Sequence, residues 1–531
     1  MGEMNLGDLQ EPPADAQNEP FGSKESGLAD SVTVRQSTGK TRASVLLAGT
    51  KIFAFVLQML SIRLYLHWVG EHQYGLYLGV QAWCALLVFL DPNITIGAQK
   101  RLTEAWARKD ESAISRIVNL QIFGNLIVGV VSALVLIVFG PRLAIALGAR
   151  PEDLPPIRLI IFGVGVYLGT YLLAAYSAMF AATERFKFFA LANSAQSLLG
   201  TFVSIGLLYV FRTVDALAAG LAIGYLVPVV IVAIMCSRAY VKRGRTHWDR
   251  DTAEDVTRLG MRSYFNRIAS VLASRSDRLV FGTHASALTS YAVACRLPEV
   301  LCDTLSSLSV TSLPELTRAH ADDPKLFSEL IDRNSKLQLA IGCSFILIPT
   351  AFGHSILKLW LGNHLTDTAY VVLLIGVYRT FELLYIGYTS AFYAMGKPQK
   401  MFKFAVFNAI VTATMSYPSY RFGGLIGLGV MNASIDVIQF VPISLTLLRN
   451  AAVHIHAKQY FAHCFTILGL SAAVAIACRL LLDQKLLMGR EILVVLVVPI
   501  ISLAWIAFLC RSGLCPTPDP VKRLVLKFKR A

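Results

Sequence analysis

Seven basic side chains, Lys51, Arg63, Arg267, Arg275, Arg278, Arg296 and Arg379, fall in stretches apolar enough to cross a bilayer, together with six acids, Asp91, Asp277, Glu299, Asp303, Glu382 and Asp436. A charge in that position costs about 2.5–3.5 kcal/mol on insertion scales, so it faces a polar cavity or finds a partner. What such a set can do is hold an anion in a chamber and release it. On the span over 259–281, positions 267, 275 and 278 lie within about 80° of one another at about 100° per residue, which makes a basic stripe suited to an anion. Asp277 lies toward the other flank and is expected to pair with Arg63. For Arg63 and Arg278, near span ends, snorkelling to the interface is the competing expectation. Arg267, Arg275 and Lys51 stand deeper.

Arg296 and Glu299, and again Arg379 and Glu382, are three residues apart, the helical spacing that brings side chains together on one face. Two readings stand for these pairs. Each is a closed ion pair tying helices together, or each is a switch in which an incoming anion takes the arginine and frees the carboxylate. The nine cysteines are scattered without a C-x-x-C pair, and His454 and His456 point in different directions on a helix, so neither a disulfide framework nor a metal site is expected. No phosphate-binding G-x-x-x-x-G-K-[ST], no H-E-x-x-H and no nucleophile elbow occurs, and the connections are too short for a soluble catalytic domain. An enzyme, a cofactor and nucleotide-driven pumping by this chain alone are not expected.

The elements that position these charges follow from composition. With 55% hydrophobic and 16% charged residues in 531, the chain is expected to be an all-α polytopic membrane protein. Fourteen runs near the roughly 20 residues a bilayer requires extend from 43–66 to 491–510. The net charge of +15 sits mainly in alternate loops, as in Arg101, Arg108, Lys109 and Arg116, then Arg238, Lys242, Arg243, Arg245, Arg250, Arg258 and Arg262. That pattern is an orientation signal and removes the need for a nucleic-acid partner; it places both termini in the cytoplasm. Residues 1–42 read as a disordered cytoplasmic tail. Lys522 to Arg530 alternates basic and apolar residues, and reads as a topology anchor or as a stretch lying on an anionic leaflet.

A repeat runs through this arrangement. Tyr77 recurs as Tyr291, and Leu102-Thr103-x-Ala105-x-Ala107 as Leu316-Thr317-x-Ala319-x-Ala321, an offset of 214 residues. Two copies of one bundle are expected, with the substrate site between them, as in many transporters. The division is 43–236 for a first six-helix lobe, 237–258 for a linker, 259–448 for a second lobe, 449–510 for two extra helices and 511–531 for a basic tail. Small residues, among them Gly124, Gly129, Gly163 and Gly427, mark close helix contacts.

The run from Trp68 through Gly70, Tyr74, Gly75 and Tyr77, with Asp91 closing the second span, resembles the opening of oligosaccharide flippases of the Wzx or polysaccharide-transporter type. Ser276-Asp277-Arg278-Leu-Val-Phe-Gly282 followed by Tyr291-Ala-Val-Ala-Cys-Arg296-Leu297 is similar to the same family's seventh and eighth helices. Leu313-Pro314-Glu315, Leu359-Trp360-Leu361-Gly362, Ala394-Met395-Gly396-Lys397-Pro398 and Gly423-Gly424-Leu-Ile-Gly427 continue the likeness in order, over about residues 43–450. The resemblance implies the multidrug/oligosaccharidyl-lipid/polysaccharide superfamily fold, two lobes around a V-shaped cavity. It further implies a polyprenyl-diphosphate-linked oligosaccharide as substrate, flipped across the inner membrane for exopolysaccharide, O-antigen or capsule-type assembly. Lipid II flippases share the Arg-x-x-Glu pair on helix eight but also a G-F-x-R-D signature that is missing here; multidrug extruders of the superfamily generally place acidic groups where Lys51 stands.

The expected roles are therefore anion contact by Lys51, Arg267, Arg275 and Arg296, and pairing or coupling by Arg63, Asp277, Glu299, Arg379 and Glu382. The expected partners are the lipid-linked substrate, the bilayer and glycan polymerase or assembly proteins, with coupling to H+ or Na+. A non-transporting scaffold of a glycan-assembly complex is the alternative of a different class.

Overall fold

The computed structural model of the chain describes residues 53–515 apart from 54–55, 92–93, 147–149, 170–178, 181, 184, 241–249, 282–283, 311–315, 317–318, 321–322, 363–364, 366–367, 398, 451–452 and 484–490. Lys51, both tails and the middle of the 237–258 linker lie outside the described residues. No described residue is in a strand. The helices are α1 (56–69), α2 (Glu71–Ala85), α3 (Ile94–Ala107), α4 (Glu111–Ala146), α5 (Leu154–Gly169), α6 (Phe186–Phe211) and α7 (Val214–Tyr240) in the first half. The second half has α8 (Arg250–Leu279), α9 (Ala285–Val310), α10 (Pro324–Gly342), α11 (Gly353–Leu361), α12 (Ala369–Ala394), α13 (Gln399–Leu448), α14 (Ala457–Asp483) and α15 (Glu491–Arg511).

Among the described residues, five helices are long and apolar enough to span a membrane, and a sixth span is formed by 324–351 with α11, bent by 64°. The chain is a multi-pass membrane protein. Its apolar surface is turned outward in a way water would not tolerate: Ile127, Leu134, Phe139, Tyr209, Val210 and Ile438 are all exposed. The second predicted span, 77–97, is not one helix. After α2 the chain tightens into a 3-10 turn at Leu86–Leu90, then resumes as α3 beyond Asp91.

The internal repeat extends to the architecture. Glu71 and Ala285 open α2 and α9 exactly one offset apart, while the starts of α4 and α10, α5 and α12, and α6 and α13 are 213 to 215 residues apart. Corresponding side chains are buried together: Tyr77 with Tyr291, Leu102 with Leu316, Ala105 with Ala319. α6 and α7 match the two arms of α13, which is a helical hairpin. Gly424, at φ 58° and ψ −143°, breaks the long helix with a conformation that only glycine adopts without strain. Across the hairpin Asn408 Nδ2 reaches Asp436 Oδ1 at 3.5 Å. The last two helices dock on the bent span, α14 on α10 and α15 on α11.

Between the halves, α2 crosses α9 and α3 crosses α8. The first crossing is pseudo-two-fold at the level of single residues. A Cβ on Gly75 would stand 2.0 Å from the Ala285 carbonyl oxygen, and Thr289 Oγ1 donates to the Glu71 carbonyl at 2.7 Å. Since 71 corresponds to 285 and 75 to 289, each contact is the image of the other. At Gly75 the obstacle is backbone, which cannot swing aside as a side chain would. We expect Gly75→Ala to part the halves at this end, whereas Gly79→Ala, whose new methyl would be in ordinary contact 3.6 Å from Leu288, should not. With a reporter Gln81→Cys between the halves, an impermeant maleimide should label the Gly75→Ala protein at least about threefold faster than either the parent or Gly79→Ala.

Candidate functional site

A cavity of about 370 Å³ lies between α2, α4, α5 and α7 of the first half and α8 and α9 of the second. Its first-half wall is mainly apolar or uncharged, including Leu78, Gln81, Ser132 and Tyr225, while the second half contributes Arg275 and Arg278. Asp91 marks one end. Arg275 and Arg278 share a face because they are three residues apart on α8. Arg275 has no hydrogen bond or ion pair among the described residues.

Behind this wall the charges converge. Glu299, on α9 and only 10% exposed, accepts from Arg278 of α8 and, at 3.1 Å, from Arg379 of α12; Arg296 of its own helix is 3.7 Å away. Arg379 also donates to Glu382, and its guanidinium lies 4.7 Å from the centre of the Tyr378 ring. Three helices thus meet on one carboxylate. Interior charges are tolerated when paired and hydrogen-bonded in this way. Asp277, facing away from Arg275 on α8, accepts from Tyr291 Oη at 2.5 Å and from Asn432 Nδ2 at 3.2 Å, joining α8, α9 and the second arm of α13.

Two ties close the ends. Near Asp91, Arg267 Nη1 donates to Asp91 Oδ2 at 2.5 Å and Tyr264 Oη to the Phe89 carbonyl at 2.5 Å; further out, Arg101 Nη2 meets Asp255 Oδ2 at 2.8 Å. Toward the Gly75 end, Arg296 Nη2 donates to Gln58 Oε1 at 2.7 Å and Trp360 Nε1 to the Met59 carbonyl at 2.5 Å. Every one of these contacts links the first half to the second. Beyond the second end, His72 Nε2 is 2.9 Å from Asp153 Oδ1.

Several expectations change. Asp277 does not pair with Arg63: Arg63 is exposed on α1, and the aspartate's Oδ2 takes a phenol and an amide from its own half. Arg278 does not snorkel. It is 12% exposed and engages Glu299, because α9 lies back beside the end of α8. Arg267 is joined to Asp91, a partner 176 residues away that helical spacing could not reveal. The Arg379–Glu382 pair forms as its spacing predicts, whereas Arg296 is closer to Gln58 than to Glu299. Arg275 reaches the cavity wall. The hub role of Glu299 leaves no signal in the sequence beyond its i,i+3 partner, since Arg278 and Arg379 come from other helices.

The Arg267–Asp91 pair allows a stability test. Asp91 is 6% exposed, so removing its partner with Arg267→Met should cost about 3 kcal/mol, as for other buried pairs that lose one member. Arg267→Met combined with Asp91→Leu should recover most of that loss, as read from thermal unfolding of the purified protein.

The sequence profile of a family described as polysaccharide biosynthesis protein matches residues 94–369, slightly more than half of the chain. No curated protein matches in sequence. Among solved structures, the lipid II flippase MurJ in an inward closed conformation superposes with a TM-score of 0.71 at 12% identity, covering 88% of this chain and 100% of that one. An inward-facing multidrug resistance MATE transporter of the MOP superfamily gives 0.58 at 13% identity, covering 76% and 98%. A MOP superfamily transporter from Pyrococcus furiosus, described as having a binding pocket of reverse polarity, gives 0.55 at 13% identity, covering 76% and 95%. These likenesses establish the fold as that of MOP superfamily transporters. With that fold, and with the profile match running from α3 through the wall arginines to the start of α12, the chain belongs to the polysaccharide biosynthesis protein family.

Proposed function

We propose that the protein is a flippase that carries a polyprenyl-diphosphate-linked oligosaccharide across the inner membrane by alternating access, for exopolysaccharide, O-antigen or capsule-type assembly. The observation that carries this reading is the basic wall, Arg275 and Arg278, in a cavity between two halves that touch at both ends. A diphosphate carries charge that must be met by cations once water is left behind, and bidentate guanidinium contacts meet it best. The lipid tail needs no such site and stays among the outward-facing apolar helices.

At about 370 Å³ the cavity is at the small end of the range that holds small ligands, with room for a diphosphate head but not for an oligosaccharide. The described conformation is then a closed one, and one end must part to admit substrate. Arg275 and Arg278 make first contact; Arg267 and Arg296 become available as their ties to Asp91 and Gln58 open, and Lys51 adds charge from the first span. The distribution of Lys and Arg supports a cytoplasmic position for the Arg101–Asp255 end and for both termini. The energy comes from an H+ or Na+ gradient, and the product passes to glycan polymerase or assembly proteins. The wall is basic, which favours an anionic substrate over the drug cations of multidrug transporters.

The test is the sidedness of lipid-linked oligosaccharide in host cells depleted of this chain, using an impermeant glycan label before and after the inner membrane is opened. Precursor should accumulate on the cytoplasmic face, be released by the intact chain, and remain there at about a tenth of the normal flux or less with Arg275→Gln plus Arg278→Gln at equal membrane abundance. Normal outward exposure in depleted cells, or full flux through the doubly substituted chain, is the outcome that a scaffold role predicts and would reject the flippase reading.

A further inference from the structure

We propose that Glu299 is a built-in counter-anion that the phosphates of the substrate displace from Arg278, so that its charge weakens binding and thereby sets the rate of release; the inference rests on the flippase reading above. Four arginines, Arg275, Arg278, Arg296 and Arg379, stand around this one carboxylate, yet only Arg275 and Arg278 reach the cavity. Glu299 itself does not line the cavity; it sits behind the wall. Arg278 therefore faces two ways, toward Glu299 through Nη2 and toward the cavity, and its buried Nε has no hydrogen-bond partner among the described residues. Its donors are only partly used.

The geometry makes exchange feasible without exposing an unpaired charge. When a phosphate takes Arg278, Glu299 keeps Arg379 at 3.1 Å and has Arg296 at 3.7 Å, close enough to shorten into a direct contact once Arg296 leaves Gln58. The carboxylate thus trades one guanidinium for another. Because Arg296–Gln58 is itself a tie between the halves, occupation of Arg278 by an anion pulls on an end contact, linking the head-group site to opening. A site with no internal anion would hold a diphosphate tightly and release it slowly. Glu299 is accordingly a positioning residue, one that acts through Arg278.

The test uses the full-length chain in nanodiscs, with farnesyl diphosphate and inorganic diphosphate as probes titrated calorimetrically, and flux measured on the native substrate in cells. Glu299→Gln, neutral and of the same shape, should tighten both probes about tenfold, equivalent to about 1.4 kcal/mol, and lower the maximal flux with a lower half-saturating substrate level. Glu299→Asp keeps the charge but draws it back by one methylene, and should tighten binding about threefold while folding normally. It keeps the question answerable if Glu299→Gln proves unstable. Tighter farnesyl diphosphate than inorganic diphosphate would identify a lipid head group as the ligand, and the reverse would identify free diphosphate and overturn the proposal. Binding that is unchanged or weaker in both variants, with wild-type binding intact and lost in Arg275→Gln, overturns the counter-anion role and leaves the flippase reading standing. Wild-type protein that binds neither probe overturns both.

Discussion

The electrostatic requirement at Glu299 governs how the interior is built. Inside a low-dielectric bundle, two unit charges at contact distance interact far more strongly than in water, and any uncompensated one is expensive. A cavity wall can display Arg275 and Arg278 only if opposite charge lies close behind. Glu299 and Glu382 supply it, and supplying it forces α8, α9 and α12 into contact through Arg278 and Arg379. The packing of these three helices and the basicity of the wall are one arrangement. Asp277 fits the same logic from the opposite side of α8: turned from the wall, it is matched by Tyr291 and Asn432 rather than by a cation, so it does not compete for the wall arginines.

The frame is repeated but its charges are not. Helix starts recur at 213 to 215 residues, and the α2–α9 crossing is its own image, yet the position equivalent to the buried Asp277 is the exposed Arg63. Duplicated backbone packing survives because it depends on size and burial, as with Tyr77 and Tyr291. Charges are free to diverge once each half has its own neighbours. The first half offers the cavity a mainly apolar wall, whose polar groups are Gln81, Ser132, Tyr225 and Asp91. The cavity is therefore lined by cations from one half and by mainly apolar side chains from the other.

Much of this was legible in the residues. Hydropathy reads the chain as an all-helical membrane protein, and the gap between the runs 401–420 and 424–447 falls beside Gly424, where positive φ requires glycine. Spacing found Arg379–Glu382, because a helix places i and i+3 together whatever surrounds it. What escaped was long-range. Glu299 collects arginines 21 and 80 residues away, and Asp91 takes one from 176 residues away, separations fixed by helix packing and by no local period. Of the two expectations for Arg278, snorkelling fails because distance from a span end is a proxy for depth only when the next helix leaves the bundle; here it folds back. The second span read as continuous since Leu86–Leu90 is apolar throughout, and nothing in hydropathy separates an α-helical turn from a tighter one.

The broken second span bears on how two ends can alternate. Its first piece, α2, meets α9 at Gly75, and its second piece, α3, meets α8 where a Cβ on Gly97 would lie 2.1 Å from the Val256 carbonyl. α8 and α9 are consecutive, so a single pair of neighbouring spans is gripped at both ends by the two pieces of one broken span. Backbone-to-backbone contact leaves no soft side chains to absorb motion. The two pieces are joined where the span leaves α-helical geometry, through the 3-10 turn at Leu86–Leu90 and Asp91. That joint is also where Arg267 and Tyr264 hold the first half. The Arg267–Asp91 tie lies on the side of this joint where α3 meets α8, so parting the halves at the Gly97 end would separate that pair, whereas Gly75 lies on the other piece of the span. The same short segment thus joins the piece that meets α9 to the piece that meets α8, and it carries the polar ties of Asp91 and Phe89 to the second half.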